Sequence, residues 1–230
     1  MELIWDGLRT ALGLVAGLDP QVLEVSLLTL QVSGLATVAA LVAGLFTGAL
    51  LALGRFPGRR FLQSVINAGM GLPPVVVGLA VCLLLWRSGP LGGLRLIYTP
   101  AAMVIAQFVI AYPVMAGLSA AALQQVGPAF RLQVEAMGAS RLQLLGAMLW
   151  EARYGVLGAV IAGFGSVISE VGASMMVGGN VVGQTRVLTT AIVLEVNRGN
   201  FDVAIALSLI LLGLTYGAAA ALTLVQQRKR

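Results

Sequence analysis

Few side chains in this sequence could do chemistry, and their types exclude most of it. The 230 residues contain no His and a single Cys, Cys82. Imidazole-based acid–base catalysis, Cys/His zinc sites and disulfide frameworks are therefore excluded, and Cys82 reads as an apolar filler. No G-x-x-x-x-G-K-[ST] run occurs, so the chain has no P-loop with which to cradle nucleotide phosphates. What remains is Glu170, flanked by the hydroxyls of Ser166, Ser169 and Ser174 and followed by Met175-Met176. Glu170 interrupts an otherwise uncharged stretch of 32 residues between Arg153 and Arg186. A carboxylate at the centre of a bilayer costs roughly 2.5 to 3.5 kcal/mol, so it must have a partner. Two roles fit it: a gate or proton site, or a structural residue that hydrogen-bonds a neighbouring helix or meets Arg186. The serines are weak donors suited to brief contact with an anion. The methionines suit a flexible constriction or the filling of gaps.

The elements that must hold these residues are set by composition. Hydrophobic residues make up 59% and charged residues 10%, against about a quarter charged in soluble domains. Mean hydropathy is +0.96. Uncharged windows of 30, 26, 35 and 25 residues lie between Glu24 and Arg55, Arg60 and Arg87, Arg95 and Arg131, and Asp202 and Arg228. About 20 helical residues cross a hydrocarbon core, so these four and the Glu170 window predict five spans. Continuous apolar runs, with no alternation, favour helices over barrel strands. The expectation is an all-α polytopic membrane protein forming one transmembrane domain over residues 1–230. Residues 1–20 form a short interfacial helix and residues 125–153 a cytoplasmic loop. The net charge of +5 is spread between spans as punctuation, which argues against nucleic acid.

Nine basic residues fall in one set of connections (Arg55, Arg59, Arg60, Arg131, Arg141, Arg153, Arg228, Lys229 and Arg230) and five in the other (Arg9, Arg87, Arg95, Arg186 and Arg198). The richer set belongs in the cytoplasm, which puts the N-terminus outside and the C-terminus inside. Pro73-Pro74 should break or kink the second span, Thr99-Pro100 should start the third, and Pro113 should kink it. Small residues (Gly34, Gly44 with Gly48, and Gly158 with Gly163 and Gly165) should let spans approach closely.

The cytoplasmic loop carries the most organised pattern. After Gly127-Pro128 comes a helix-compatible run to Met137, then Gly138-Ala139-Ser140. Gly138 can end one helix in the left-handed conformation, and Ser140 with Gln143 makes a capping box for the next. That second helix would expose Leu142, Leu145, Met148 and Leu149 along one stripe, suited either to the lipid interface or to a partner's groove.

At this point the chain resembles the transmembrane permease subunits of ATP-binding-cassette importers, which carry a cytoplasmic E-A-A-x-x-x-G loop that often continues Gly-Ala-Ser. Gly138-Ala139-Ser140 occupies that place, while Leu132-Gln133-Val134 stands where Glu-Ala-Ala is usual. Leu72-Pro73-Pro74, Ile168-Ser169-Glu170-Val171-Gly172-Ala173, Val177-Gly178-Gly179-Asn180 and Thr185 to Ile192 are similar to segments of molybdate and tungstate permeases, the last two most like the tungstate branch. The resemblance implies a homodimeric permease and two cytoplasmic ATPase subunits that bind ATP and Mg, this chain holding no cofactor or metal. It implies an extracytoplasmic oxyanion-binding protein docked on the outer loops, Arg87 to Tyr98 and Gly179 to Asn200. It implies coupling through Glu135, Gly138, Ala139, Ser140, Arg141, Leu142 and Leu145. Pathway or gate residues would come from Pro73, Pro74, Ser166, Ser169, Glu170, Ser174, Met175 and Met176. The chain would sit in the inner membrane and catalyse no reaction itself. The alternative reading is a self-sufficient channel or ion-coupled transporter using Glu170.

Overall fold

The computed structural model describes residues 19–227, side chains as far as 224, together with residues 5, 7–10, 12, 13 and 17. Among the described residues every regular element is helical. Two long helices, α1 (Pro20–Leu53) and α4 (Pro100–Gln125), cross as the central pair. Four shorter ones pack on α4: α2 (Arg59–Gly69), α3 (Pro74–Leu85), α7 (Arg153–Ile168) and α8 (Gly172–Gly178). Between α4 and α7 the chain forms α5 (Pro128–Ala136) and α6 (Arg141–Glu151), and it closes with α9 (Leu188–Asn197) and α10 (Phe201–Gln227). α1, α4 and α10 are each long and apolar enough to cross a membrane, and the bent pairs raise the possible number of spans to five. Most of the predicted N-terminal interfacial segment and the basic tail 228–230 fall outside the described residues. Gly7, which is described, lies against Ile205 of α10.

The helix starts follow from local chemistry. Asp19 accepts hydrogen bonds from the N–H groups of Gln21 and Val22 at 2.9 and 3.1 Å, with Pro20 at the first position of α1. Thr99 accepts from Ala102 at 3.4 Å, with Pro100 first in α4. Both devices satisfy N–H groups that have no helical acceptor.

Two of the predicted spans are not single helices. In the second window α2 and α3 are bent by 105° at a break over residues 70–73. Neither Pro73 nor Pro74 has an N–H to continue the α2 ladder, and Pro73 becomes the cap of α3. The loosened turn closes on itself, with Met70, Gly71 and Leu72 donating to the carbonyls of Ile66, Ala68 and Gly69. In the fourth window α7 has 16 residues, about 24 Å of helix against a core of roughly 30 Å. The path resumes as the seven-residue α8 after a break at residues 169–171. Pro113 has the smaller effect: α4 runs through it unbroken, and Pro113 is buried where Gly69 of α2 comes close. The connection before α10, read from sequence as an outer loop, contains α9.

Small residues set the crossings, though not all of those expected. A Cβ on Gly44 would lie 2.9 Å from the Met115 Cβ and 3.0 Å from the Ala116 nitrogen. One on Gly48 would lie 3.0 Å from the Ala120 nitrogen and 3.0 Å from the Ser119 Cβ. Gly163 meets Met115, Gly155 meets Ala122, and Gly78 meets the Ala173 backbone. Gly34, Gly158 and Gly165 face open space, so they do not hold this bundle together. Lipid supplies no hydrophobic drive between helices, which leaves close backbone approach as the main source of cohesion. Gly48→Ala should therefore force α1 from α4 and destabilise the fold by about 1 to 3 kcal/mol. Gly34→Ala should leave stability unchanged. Thermal unfolding in detergent, read by a dye reacting with the sole thiol Cys82, measures both.

Candidate functional site

The short helices between α4 and α7 are built as the sequence implies. Gly138 has φ +78°, free of strain only for glycine, with nothing within 4 Å of where a Cβ would stand. The capping box is present: Ser140 N–H donates to Gln143 Oε1 at 2.8 Å and Gln143 N–H to Ser140 Oγ at 3.4 Å. Glu135 is exposed and pairs with Arg131 at 2.9 Å. Ala139 is half-buried and Arg141 exposed.

The apolar face of α6 differs from the stripe expected. Leu144 and Met148 are buried against Ala122, Leu123 and Ala152, with Phe130, Val134 and Leu149 packed around them. Leu145 is half-buried and Leu142 stands free at 81% exposure. The helix has two apolar sides, one seated on the end of α4 and one offered outward. Met137 and Trp150 are also exposed. The corner between α6 and α7, bent by 69°, is held by Arg153. Its guanidinium stacks 4.9 Å from the Trp150 ring and 4.4 Å from the Tyr154 ring, and donates to the Trp150 carbonyl at 2.6 Å. Sequence reading missed this staple, whose only signal was an Arg between two aromatic residues at −3 and +1.

The two helix breaks meet inside the bundle. Gly172 opens α8 against Val75 in the first turn of α3, where a Cβ would come within 2.8 Å of Val75 Cγ2. A cavity of about 290 Å³ follows the α2–α3 break, lined by Met70, Leu72, Pro73, Pro74, Ile110 and Ser166 among others. Pro73, Pro74 and Ser166 are thus brought together. Ser174 is not: it is buried and accepts from Gln107 of α4 at 3.3 Å. Ser166 and Ser169 donate their hydroxyl protons to the Gly163 and Gly165 carbonyls, both at 2.8 Å. With its proton so committed, Ser166 presents an acceptor to the cavity, not the donor expected from sequence. Met175 and Met176 are half-buried.

Glu170 finds its partner within its own segment. Its Oε1 accepts from the Ala173 N–H at 3.0 Å, capping α8, and Arg186 donates instead to Asn180 at 3.3 Å. The Glu170 carbonyl accepts from Thr189 Oγ1 at 3.0 Å. Thr29 Oγ1 takes the Leu188 N–H at 2.9 Å, Thr190 Oγ1 the Val187 N–H at 3.1 Å, and Thr185 Oγ1 donates to the Gly178 carbonyl. Of these, the Thr189 bond satisfies a backbone group at the second break, Thr185 serves the end of α8, and Thr29 and Thr190 serve the start of α9.

At the opposite end from α6, Trp86, Arg87, Gly92, Arg95, Ile97 and Tyr98 help line a cavity of about 770 Å³. Arg95, Tyr98 and Asn180 all have positive φ, of 52°, 61° and 52°. Tyr98 donates its N–H to the Val177 carbonyl at 2.8 Å, tying this loop to α8.

Interrupted apolar helices on one central pair, with two short helices at one end, make the architecture of a polytopic membrane protein. The model for binding-protein-dependent transport system inner membrane components matches residues 40–230, and the chain belongs to that family. It is 36% identical over 227 residues to the tungstate uptake system permease TupB of Peptoclostridium acidaminophilum, covering 99% of this chain and 100% of that one. It is 45% identical over 168 residues to a probable anion ABC transporter permease of Haloferax volcanii, covering 71% of this chain and 72% of that one. Its fold matches an inward-facing structure of the MetNI methionine ABC transporter with a TM-score of 0.73 at 21% identity, over 91% of this chain and 94% of that chain.

The cap at Glu170 generates a graded test. Glu170→Gln keeps an oxygen for the Ala173 N–H and should retain the stability of the parent protein. Glu170→Ala orphans that N–H and should cost about 1 to 3 kcal/mol. Thermal unfolding of the two variants in the same detergent separates cap from charge.

Proposed function

We propose that this chain is the permease subunit of an ATP-driven importer for a tetrahedral oxyanion, tungstate first, then molybdate or sulfate. Two copies would form the path along their two-fold axis, with an ATPase subunit on the α5–α6 end of each copy and an extracytoplasmic binding protein on the other end. The N-terminus would lie outside and the C-terminus in the cytoplasm. The observation that carries this reading is the two-sided α6: Leu144 and Met148 grip the bundle while Leu142 projects from it. A helix anchored on one side and open on the other suits transmission of a partner's movement into α4 and α7. The names of the tungstate and anion permease relatives support the substrate.

The path would be a conduit and not a store. No Lys or Arg lies in the uncharged windows, and the two serines nearest the break spend their protons on the backbone. Affinity would then reside in the binding protein, which would also avoid holding the anion in transit. The cavity bearing Arg87 and Arg95 is suited to acidic groups on that protein. Glu170, committed to capping α8, is not needed as a coupling site. The open small-residue positions Gly158 and Gly165 on α7 would serve the second copy.

Proteoliposomes containing this chain with its cognate ATPase and binding protein provide the test. Tungstate uptake should require ATP and all three proteins, with unlabelled tungstate competing better than molybdate and molybdate better than sulfate. Uptake by the permease alone, or nanomolar tungstate binding to it, would overturn the reading.

A further inference from the structure

The turn from α1 to α2 holds a basic hollow. Gly58, at φ +86°, reverses the chain there, and Arg55, Phe56, Arg59, Arg60 and Gln63 join it around a cavity of about 600 Å³. Arg59 is fixed in place, donating Nε–H to the Leu51 carbonyl in the last turn of α1 at 2.8 Å. Arg55 and Arg60 are exposed. Among the described residues no carboxylate lies within salt-bridge distance of any of the three, and Glu135 of α5 is paired with Arg131. The hollow lies where a membrane-crossing helix ends, on the same end of the bundle as α6. Beside it the α2 surface turns apolar at once: Phe61 is 75% exposed and Val65 48%. Ile66 and Leu62, a quarter turn round, pack into the bundle with Leu51, Phe56 and Ala116.

We propose that this hollow binds the phosphate of an anionic phospholipid from the adjoining leaflet, with the acyl chains lying along Phe61 and Val65. Guanidinium groups present planar forks of donors that match phosphate oxygens, and they lose less hydration than ammonium groups on doing so. Basic pockets between helices at the cytoplasmic boundary are suited to lipid headgroups, and an exposed aromatic ring directly beside the cations favours a ligand that is half apolar over a soluble anion. The inference is independent of which oxyanion the permease carries.

Native mass spectrometry of the full-length permease, co-purified with its ATPase and incubated with dioleoyl phosphatidylglycerol or dioleoyl phosphatidylcholine, tests it. Phosphatidylglycerol should be retained in preference to phosphatidylcholine. The double variant Arg55→Gln/Arg60→Gln should lower that retention by about 25-fold, since each basic residue at an anionic surface contributes about fivefold. Both side chains are exposed and outside the helix packing, and Arg59, which holds α1, is left in place. Phe61→Ser, which changes no charge, should also weaken retention. Equal retention of the two lipids, or a double variant that binds like the parent, would overturn the proposal. Displacement of the lipid by 10 mM inorganic phosphate, at about a tenth of physiological ionic strength, with Phe61→Ser unaffected, would reassign the hollow to a soluble anion and overturn the lipid assignment.

Discussion

A polypeptide that interrupts its helices inside a membrane must find partners for the freed N–H and C=O groups without water, and this constraint organises the whole molecule. It breaks twice, at residues 70–73 and 169–171. At the first break two prolines remove donors, and one last helical bond and two tight turns close the rest. At the second, the Glu170 carboxylate takes the Ala173 N–H and Thr189 donates to the Glu170 carbonyl, while Thr185 serves the end of α8 and Thr29 and Thr190 the start of α9. A carboxylate that would cost several kcal/mol as a free charge becomes tolerable because it replaces a missing helical acceptor. The broken ends then pack on each other through Gly172 and Val75, and through Gly78 and Ala173. The interruptions are therefore supported from both sides.

From that arrangement the functional features follow in order. Breaking α2 from α3 opens a cavity in a bundle that otherwise closes tightly at glycine crossings. α7 starts at a corner, where Arg153 stacks on Trp150 and Tyr154 and fixes the angle to α6. The α6 helix is thereby joined to α7 through a stiff corner and to α4 through Leu144 and Met148. Movement of α6 would pass to α4 and α7, two of the helices that border the cavity, which is the connection an ATP-driven permease requires.

Much of this was legible because the membrane makes composition decisive. Charge-free windows located α1, α4 and α10, Pro73-Pro74 located the first break, and Thr99-Pro100 located the start of α4. The Gly138 and Ser140 pattern gave the join between α5 and α6 in atomic detail, since a left-handed glycine and a capping box are local devices. What failed was tertiary. Which side of α6 faces the bundle depends on the height at which α4 ends, so a stripe of leucines alone could not choose between Leu142 and Met148. Glu170 bonds three residues ahead and not to Arg186 because the chain stops being helical at that point. Short α9 was hidden among the polar residues of the connection before α10, although Leu188 to Leu194 is apolar enough to have suggested it. Gly34 and Gly158 look like Gly48 in sequence, and only the placement of a neighbouring helix distinguishes them.

The central claim is that the Leu142 side of α6 seats in a separate ATPase. A single cysteine placed there, Leu142→Cys in a Cys82→Ala background, can be treated with a short bifunctional maleimide in membranes holding the cognate ATPase with cysteines in its cleft. The account predicts a permease–ATPase adduct whose yield changes when ATP is added. Contradiction would be a cysteine that forms no adduct and is instead protected by lipid from a water-soluble maleimide.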